Sequence, residues 1–458
     1  MQTETCLRRL RVAFLTPSLH IGGAERWILA LARNFQAVQP AGVVVCSPHH
    51  HPAMLEQAAR LMPVFLARKH GDAGETRRLL ERASITADVL ITWGVPRLAV
   101  VTRKLVGRIG NPFGSVEDSP CEQSSSPRQR SVPHFEDEKT RTKYEDEETE
   151  TYRDAKRYLP VIDVSHSEGG WTQQTKMTRR AASGADFHVA VSRGALGAFD
   201  EKIRRRATVI YNGAEVDRVA PRSTFGISDL GFGKERTALF LGRFEKVKGF
   251  DRLFDAAQHL PSNWKIFAHG HGSLQTTIRN PQSAIRIGPP LSHVGAALAA
   301  ADVLVMPSRH EGMPLTMIEA WLAGTPVVAT PFGFVHEATQ MHGPLCDVVP
   351  QNPTGQQLAA GILRAAEGRY VTKAREVAWQ HYTAAAMAQR WEEYLQCVVQ
   401  AWHARGHRVN EESPLTNDEQ RTVVERETAC WNGGTKKPFQ NTDKANRRHA
   451  PDEKRLPS

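Results

Sequence analysis

The sequence predicts an α/β protein made of two domains, each built on a parallel sheet. Three observations carry this. Short apolar runs alternate with segments of helical period through most of the chain. The alternation falls into two series, separated by a stretch at 220–234 that carries Pro221, Gly226, Gly231 and Gly233. Each series opens on a strand followed by a glycine-bearing turn and a helix.

In the first series, the largely apolar Leu10–Leu15 suits a buried strand. Ser18–Gly23 is a loop, and Trp27, Ile28, Leu31 and Phe35 give Ala24–Phe35 helical spacing. Further strands are expected at Gly42–Cys46, Pro63–Ala67, Asp88–Trp93, Leu159–Val164, Phe187–Val191 and Thr208–Tyr211. The second series places strands at Thr237–Leu241, Lys265–Ala268, Ala284–Ile287, Val303–Met306, Pro326–Ala329 and Cys346–Val349. Helices are expected at Phe250–Leu260 and Leu291–Ala301. A last helix, Ala384–Trp402, presents Trp391, Tyr394, Leu395 and Val398 on one face. The domain reading is therefore 1–219, a linker at 220–234, 235–383, a C-terminal helical segment at 384–406 that returns toward the first domain, and a tail at 407–458. The segment 107–157, rich in Ser, Pro and alternating charge, reads as a disordered insertion, and the tail reads the same way.

A formal charge of +10 permits contact with anionic lipid, nucleotides or nucleic acid and specifies none of them. The basic residues are dispersed without a recognition motif, so a nucleic-acid partner is not expected. Peripheral contact with an anionic membrane is compatible with the charge, while no run approaches the ~20 apolar residues of a membrane-crossing helix. Met1–Arg11 shows no secretory pattern, and the expected location is cytoplasmic. Cys6, Cys46, Cys121, Cys346, Cys397 and Cys430 have neither metal nor disulfide spacing and read as free thiols.

The chemistry concentrates in Arg309–Pro326. From Pro314 this segment reads as a mostly apolar helix closed by Gly324. Glu319 sits among Leu315, Met317, Ile318, Trp321 and Leu322, where a carboxylate is costly unless a polar group meets it. Glu311 lies just before the helix, near free backbone N–H groups and the positive end of the helix dipole. Such a place suits an anionic or hydroxyl-rich ligand. Gly22-Gly23 after the first strand allows close backbone approach to a ligand, although the spacing is not that of a dinucleotide fingerprint. Arg243 and Lys248 follow the strand that opens the second series, where two cations suit a diphosphate. His166 follows the strand Leu159–Val164, placed to contact a sugar hydroxyl. His188, His269 and His271 read as structural.

Together these segments resemble the retaining glycosyltransferases of family four, which have the GT-B fold: two Rossmann-like, doubly wound domains facing a central cleft. The residues that carry the resemblance are Gly22-Gly23-Ala24-Glu25-Arg26, Ser192, Asn212–Asp217, Gly242-Arg243 with Lys248-Gly249, and Glu311 with Glu319 in the family's E-x7-E spacing. The resemblance implies that Arg243 and Lys248 hold the donor diphosphate, Glu319 the ribose, and Glu311 the donor sugar's hydroxyls. It implies that backbone groups of Gly312, Met313, Pro314, Leu315 and Thr316 line the phosphate and sugar site, with Gly22 and Gly23 opposite. His166 would stand near the reacting sugar, although the family's frequent His-Asp pair reads His166-Ser167 here. Of these, His166, Glu311, Arg243 and Lys248 are the expected catalytic group.

The activity so implied is metal-independent, cofactor-free transfer of a hexose from a nucleotide sugar, with retention. The acceptor is a glycan, a lipid-linked saccharide or another cell-envelope precursor. Two other readings share these residues: a nucleotide-sugar 2-epimerase or sugar-phosphate synthase of the same fold, and a non-catalytic homologue that binds sugar nucleotide or a partner.

Overall fold

The computed structural model describes residues 9–69, 72–84, 87–93, 159–168, 185–216, 235–274, 284–291 and 293–408. The expected insertion, the linker and the tail beyond Arg408 lie outside them.

Two parallel sheets organise the chain. The first contains β1 (Leu10–Thr16), β2 (Val38–Val45), β3 (Val64–Leu66), β4 (Val89–Trp93), β5 (Val161–Ser165), β6 (Phe187–Ala190) and β7 (Thr208–Val209), in the order β3-β2-β1-β4-β5-β6-β7. The second contains β8 (Arg236–Leu241), β9 (Trp264–His269), β10 (Ile285–Gly288), β11 (Val303–Met306), β12 (Val327–Ala329) and β13 (Asp347–Val348), in the order β10-β9-β8-β11-β12-β13. In both sheets the order reverses beside the first strand, between β1 and β4 and between β8 and β11. In open α/β sheets that reversal opens a crevice at the carboxyl ends of the strands.

The helices are α1 (Gly23–Asn34), α2 (Pro52–Leu61), α3 (Ala73–Ser84) and α4 (Glu201–Arg204) with the first sheet. With the second come α5 (Arg252–Ala257), α6 (Val294–Ala300), α7 (Leu315–Ala323), α8 (Gly333–His342), α9 (Gly355–Ala365) and α10 (Val371–His381), and then the terminal α11 (Ala384–Arg408). None of the described helices is long and apolar enough to cross a membrane. Helix α11 runs past the expected end at Trp402 and two residues into the segment read as tail. Helices between strands were expected in general, but α2 to α4 and α8 to α10 had no expected bounds of their own.

Strand β2 begins at Val38, four residues earlier than expected, and contains Pro40. Proline cannot donate to a ladder, which argues for starting the strand after it. A bulge resolves the conflict: Val12 pairs with Pro40 and Ala13 with Gly42, so Ala41 is the extra residue. A Cβ at Gly42 would stand 2.8 Å from the Phe65 ring, which keeps this bend a glycine position.

The first core gathers Ala13, Leu15, Val44, Leu90 and Val161. The second stacks Phe244 on Phe250 at 4.2 Å, against Phe240, Ile266 and Leu358. Helix α11 returns to the first sheet's layer. Its Glu392 accepts from the N–H groups of Gln36, Ala37 and Val38 at 2.6, 2.6 and 3.0 Å. One residue earlier, Trp391 meets Trp27 edge-on at 5.4 Å. The chain leaving the first sheet and the chain re-entering it pair as a short bridge, Ala214 with Thr383. Gly213 lies so close to the Thr383 carbonyl that any Cβ would collide with it.

One buried carboxylate makes stability depend on pH. Burial pushes the Asp163 carboxyl on β5 up to about 7, against the hydrogen bond it accepts from Thr92 at 3.3 Å. Its unfolded value is about 3.9. Between the two, the folded chain holds a proton that the unfolded chain has released, so this contribution to stability falls as pH rises from about 4 to about 7. Asp163→Asn is expected to remove that part of the dependence. Urea midpoints across this range should fall less steeply in the variant than in the parent protein, and parallel curves would contradict the assignment.

Candidate functional site

The site is built from loops at the carboxyl ends of β1, β5, β8 and β11. After β1 the chain reaches Gly22, the N-cap of α1. The Glu25 side chain folds back over it, accepting from Ser18 Oγ at 3.2 Å, and a Cβ at Gly22 would collide with its carboxylate. A Cβ at Gly23 meets nothing within 4 Å, so the backbone there is open to approach. Burial raises the Glu25 carboxyl, and the charge of Arg243 opposes the rise. The charge of Arg243, on the second sheet's loop, is thus felt at the glycine turn of the first.

After β8 the chain makes a tight turn. Lys248 ends a 3-10 turn, Lys246–Lys248, capped by Gly249 at φ 72°. Gly249 packs directly on the Pro307 carbonyl with no room for a Cβ. That contact brings Lys248 against the loop after β11. Its Nζ donates to both carboxylate oxygens of Glu311 at 2.7 Å each. Ser308 Oγ adds a bond to Glu311 Oε1 at 2.9 Å. Arg309 pairs with Asp251 at 2.8 Å, and Arg252 Nη1 donates to the Pro307 carbonyl at 2.8 Å, bracing the loop. Glu311 is buried, and its charge is met by one cation and one hydroxyl. Arg243 is more open, pairing with Glu245 at 3.1 Å.

Pro314 is the N-cap of α7, so the first helical N–H groups are those of Leu315 and Thr316. One turn further in, Glu319 is only 2% exposed. Arg26 of α1 pairs with its Oε1, while Oε2 is buried with no hydrogen-bond partner among the described residues. More polar bonds cross between the layers. Ser192 Oγ donates to the Gly312 carbonyl at 3.0 Å and Asn212 Nδ2 to the Met313 carbonyl at 2.7 Å. The Glu337 carboxylate accepts from Tyr211 at 2.5 Å and from the Arg193 N–H at 2.9 Å.

His166 follows β5. Its ring packs edge-on to Trp27 at 4.8 Å and to Trp93 at 5.6 Å, and Nε2 is enclosed without a hydrogen-bond partner. Burial pushes its pKa down to about 3. The imidazole is therefore neutral through the physiological range. With Nε2 enclosed, the ring packs as a neutral group and does not carry the additional proton of an imidazolium. Gly312 abuts the His166 carbonyl without room for a Cβ, so the β5 and β11 loops touch.

Of the residues expected at the site, the structure joins Lys248 to Glu311, Gly312 to the His166 carbonyl, and the helix carrying Glu319 to the helix that follows Gly22 and Gly23 through Arg26. His188 and His269 sit apart from this set: His188 packs edge-on against Phe199 at 5.4 Å, and His269 Nδ1 lies 3.0 Å from the Pro289 carbonyl. Arg26, Ser308 and Glu168 belong to the site although the sequence reading gave them no role. Arg26 carried a signal, since it lies one turn after the glycine pair on a helix that must face the cleft. Ser308 and Glu168 carried none, because their roles depend on which loops meet.

A family profile, Glycosyl transferases group 1, matches residues 235–367. An uncharacterized glycosyltransferase of Methanocaldococcus jannaschii is 30% identical over 168 residues, 34% of this chain and 43% of that protein. A putative teichuronic acid biosynthesis glycosyltransferase of Bacillus subtilis is 32% identical over 130 residues, 28% of this chain and 33% of that protein. The chain thus spans less than half the length of the curated relatives it matches. Anabaena HepE, solved in complex with UDP and glucose, has the same fold, with a TM-score of 0.62 over 85% of this chain and 100% of that one at 18% identity.

Removing Arg26 leaves Glu319 as an enclosed, unpaired carboxylate. Arg26→Met is expected to cost about 3 kcal/mol, the low end for a broken buried pair because the arginine keeps some contact with water. Glu319→Gln in the same chain should recover most of the loss. Urea unfolding of the single and double variants checks this, and additive losses would mean that the two side chains do not act as a pair.

Proposed function

Since the chain carries a glycosyl transferases group 1 domain on a GT-B fold, we propose that it is a glycosyltransferase moving a hexose from a nucleotide sugar to a glycan, lipid-linked or other cell-envelope acceptor, with retention. The observation that carries this reading is the Lys248–Glu311–Ser308 cluster at the carboxyl ends of the second sheet's strands, beside the contact of Gly312 with the His166 carbonyl of the first. The likeness to the putative teichuronic acid biosynthesis glycosyltransferase of Bacillus subtilis supports a glycan product.

In this reading the second sheet's loops hold the donor. Arg243 and Lys248 meet the diphosphate, whose charge grows as the bond to the sugar breaks, and fixed cations stabilise that growth. The N–H groups of Leu315 and Thr316 add the positive end of a helix. These groups can do the charge work without a bound cation. Glu311 meets the sugar hydroxyls and Glu319 the ribose. The Oε2 of Glu319 is the free acceptor a ribose hydroxyl would take. The first sheet's loops cover the sugar, and the Trp27–His166–Trp93 cluster keeps that side apolar and short of water.

Neither glutamate suits the role of nucleophile. Both oxygens of Glu311 are held by Lys248, and Glu319 is tied to Arg26. Retention by two flanking carboxylates, as in glycoside hydrolases, has no support in this arrangement. Same-face attack fits better, with the departing phosphate oxygen taking the acceptor's proton.

Release of nucleoside diphosphate from a panel of nucleotide sugars, with lipid and free-sugar acceptors, tests the activity. Arg243→Ala and Lys248→Ala are each expected to weaken nucleoside diphosphate binding by about tenfold or more, as loss of a charge-assisted contact does. Glu311→Ala should abolish transfer while diphosphate still binds. If Arg243→Ala and Glu311→Ala both keep full turnover, the site lies elsewhere.

A further inference from the structure

Three carboxylates stand on the loops and helix of the proposed donor site, and their charges are met unequally. Glu311 has Lys248 on both oxygens, and Glu319 has Arg26. Glu168, three residues past the end of β5, has neither a lysine nor an arginine among the described residues. Its Oε1 accepts from the Gly333 N–H at the start of α8, and its Oε2 lies 3.7 Å from His310 Nδ1. The side chain is largely enclosed, at 18% exposure.

The surroundings are shaped to admit this carboxylate. A Cβ at Gly333 would collide with Glu168 Oε1, and one at Gly194 would stand 3.2 Å from it. Gly197 approaches the Glu168 carbonyl to within 3.0 Å of where its Cβ would be. Three glycines from two elements thus leave a slot that the Glu168 segment fills. The slot adjoins the Glu311–Gly312 loop, since Gly312 rests on the His166 carbonyl two residues before Glu168. Burial raises the Glu168 carboxyl; the Gly333 N–H and His310 oppose that rise, and the charge of Glu311 adds to it.

We infer that Glu168 determines donor specificity at the sugar end of the cleft, as a carboxylate with no lysine or arginine partner among the described residues, and that it accepts neutral hexoses and repels uronic acids. The inference rests on the proposed donor site, because it takes the Glu311 side of the crevice as the place of the sugar. The physics is direct. A neutral hydroxymethyl group can donate to Glu168, whereas a second carboxylate beside it brings two like charges together, with His310 the nearest titratable base and no lysine or arginine among the described residues to offset them. A glutamine keeps the shape and hydrogen-bonding capacity and removes the repulsion.

The test uses the full chain and donor pairs that share a nucleotide and differ only at C6: UDP-glucose with UDP-glucuronate, and GDP-mannose with GDP-mannuronate. Dissociation constants are measured by calorimetry for the parent protein, Glu168→Gln and Glu168→Asp. The parent is expected to prefer the hexose by about tenfold or more. Glu168→Gln should shrink that preference to about twofold by gaining uronate affinity, and Glu168→Asp should restore most of it. A purely structural role would weaken both donors of a pair alike and leave the ratio unchanged. A parent protein without preference, or a ratio unmoved by Glu168→Gln while the hexose donor still binds, overturns the inference and leaves the donor site standing. Failure of UDP, GDP and all four nucleotide sugars to bind overturns both.

Discussion

Every part of the crevice depends on one constraint: a carboxylate shielded from water must meet a partner. Glu311, Glu319 and Glu337 are each less than a tenth exposed. An isolated ionised carboxylate in such a place is too costly to persist. The cost is met by groups from distant parts of the chain. Lys248 reaches Glu311 from the loop after β8, Arg26 reaches Glu319 from the other sheet's first helix, and Tyr211 and Arg193 reach Glu337 from the end of the first sheet. Polar bonds therefore join the two sheets along the crevice, beside ring contacts such as Tyr211 with Phe334 at 6.2 Å. Polar bonds can be exchanged for bonds to a hydroxyl-rich ligand, and an apolar seam cannot be.

That exchange gives the arrangement its functional sense. In the proposed function, the groups that meet along the crevice are those a sugar nucleotide would engage: a lysine on a carboxylate, an arginine on a second carboxylate, backbone carbonyls of Gly312 and Met313 held by Ser192 and Asn212. A ligand entering there replaces existing bonds and does not have to order free side chains, which lowers the entropy lost on binding. The short bridge between Ala214 and Thr383 pins both chain crossings at one place, so opening the crevice need not disturb either core.

Much of the fold was legible because parallel strands buried on both faces read as unbroken apolar runs. Val303–Met306 occupies its expected bounds, and the other expected strands appear shifted by a few residues at most. Where the reading missed, another rule prevailed. Pro40 argued against an early start for β2, and a bulge absorbed it. Helices α9 and α10 were not anticipated because they follow β13, where no further strand frames them. Gly324 was legible as the stop of α7 and adopts φ 72° there.

The site was legible to the extent that its chemistry lies in contiguous sequence. Lys248, Glu311 and Glu319 are recognisable from local surroundings alone: a cation after a strand, a charge before a helix, a charge inside an apolar one. Their partners are not, because Arg26 and Glu319 are joined only by the meeting of two sheets. Glu168 is the extreme case. Nothing near it in the sequence distinguishes it from a solvated glutamate, and its meaning comes from Gly194, Gly197 and Gly333, which together leave room for its segment. Glycine is usually read as freedom of the backbone. At these three positions it is better read as space kept clear for another residue, a signal visible only once the fold shows which loops face each other.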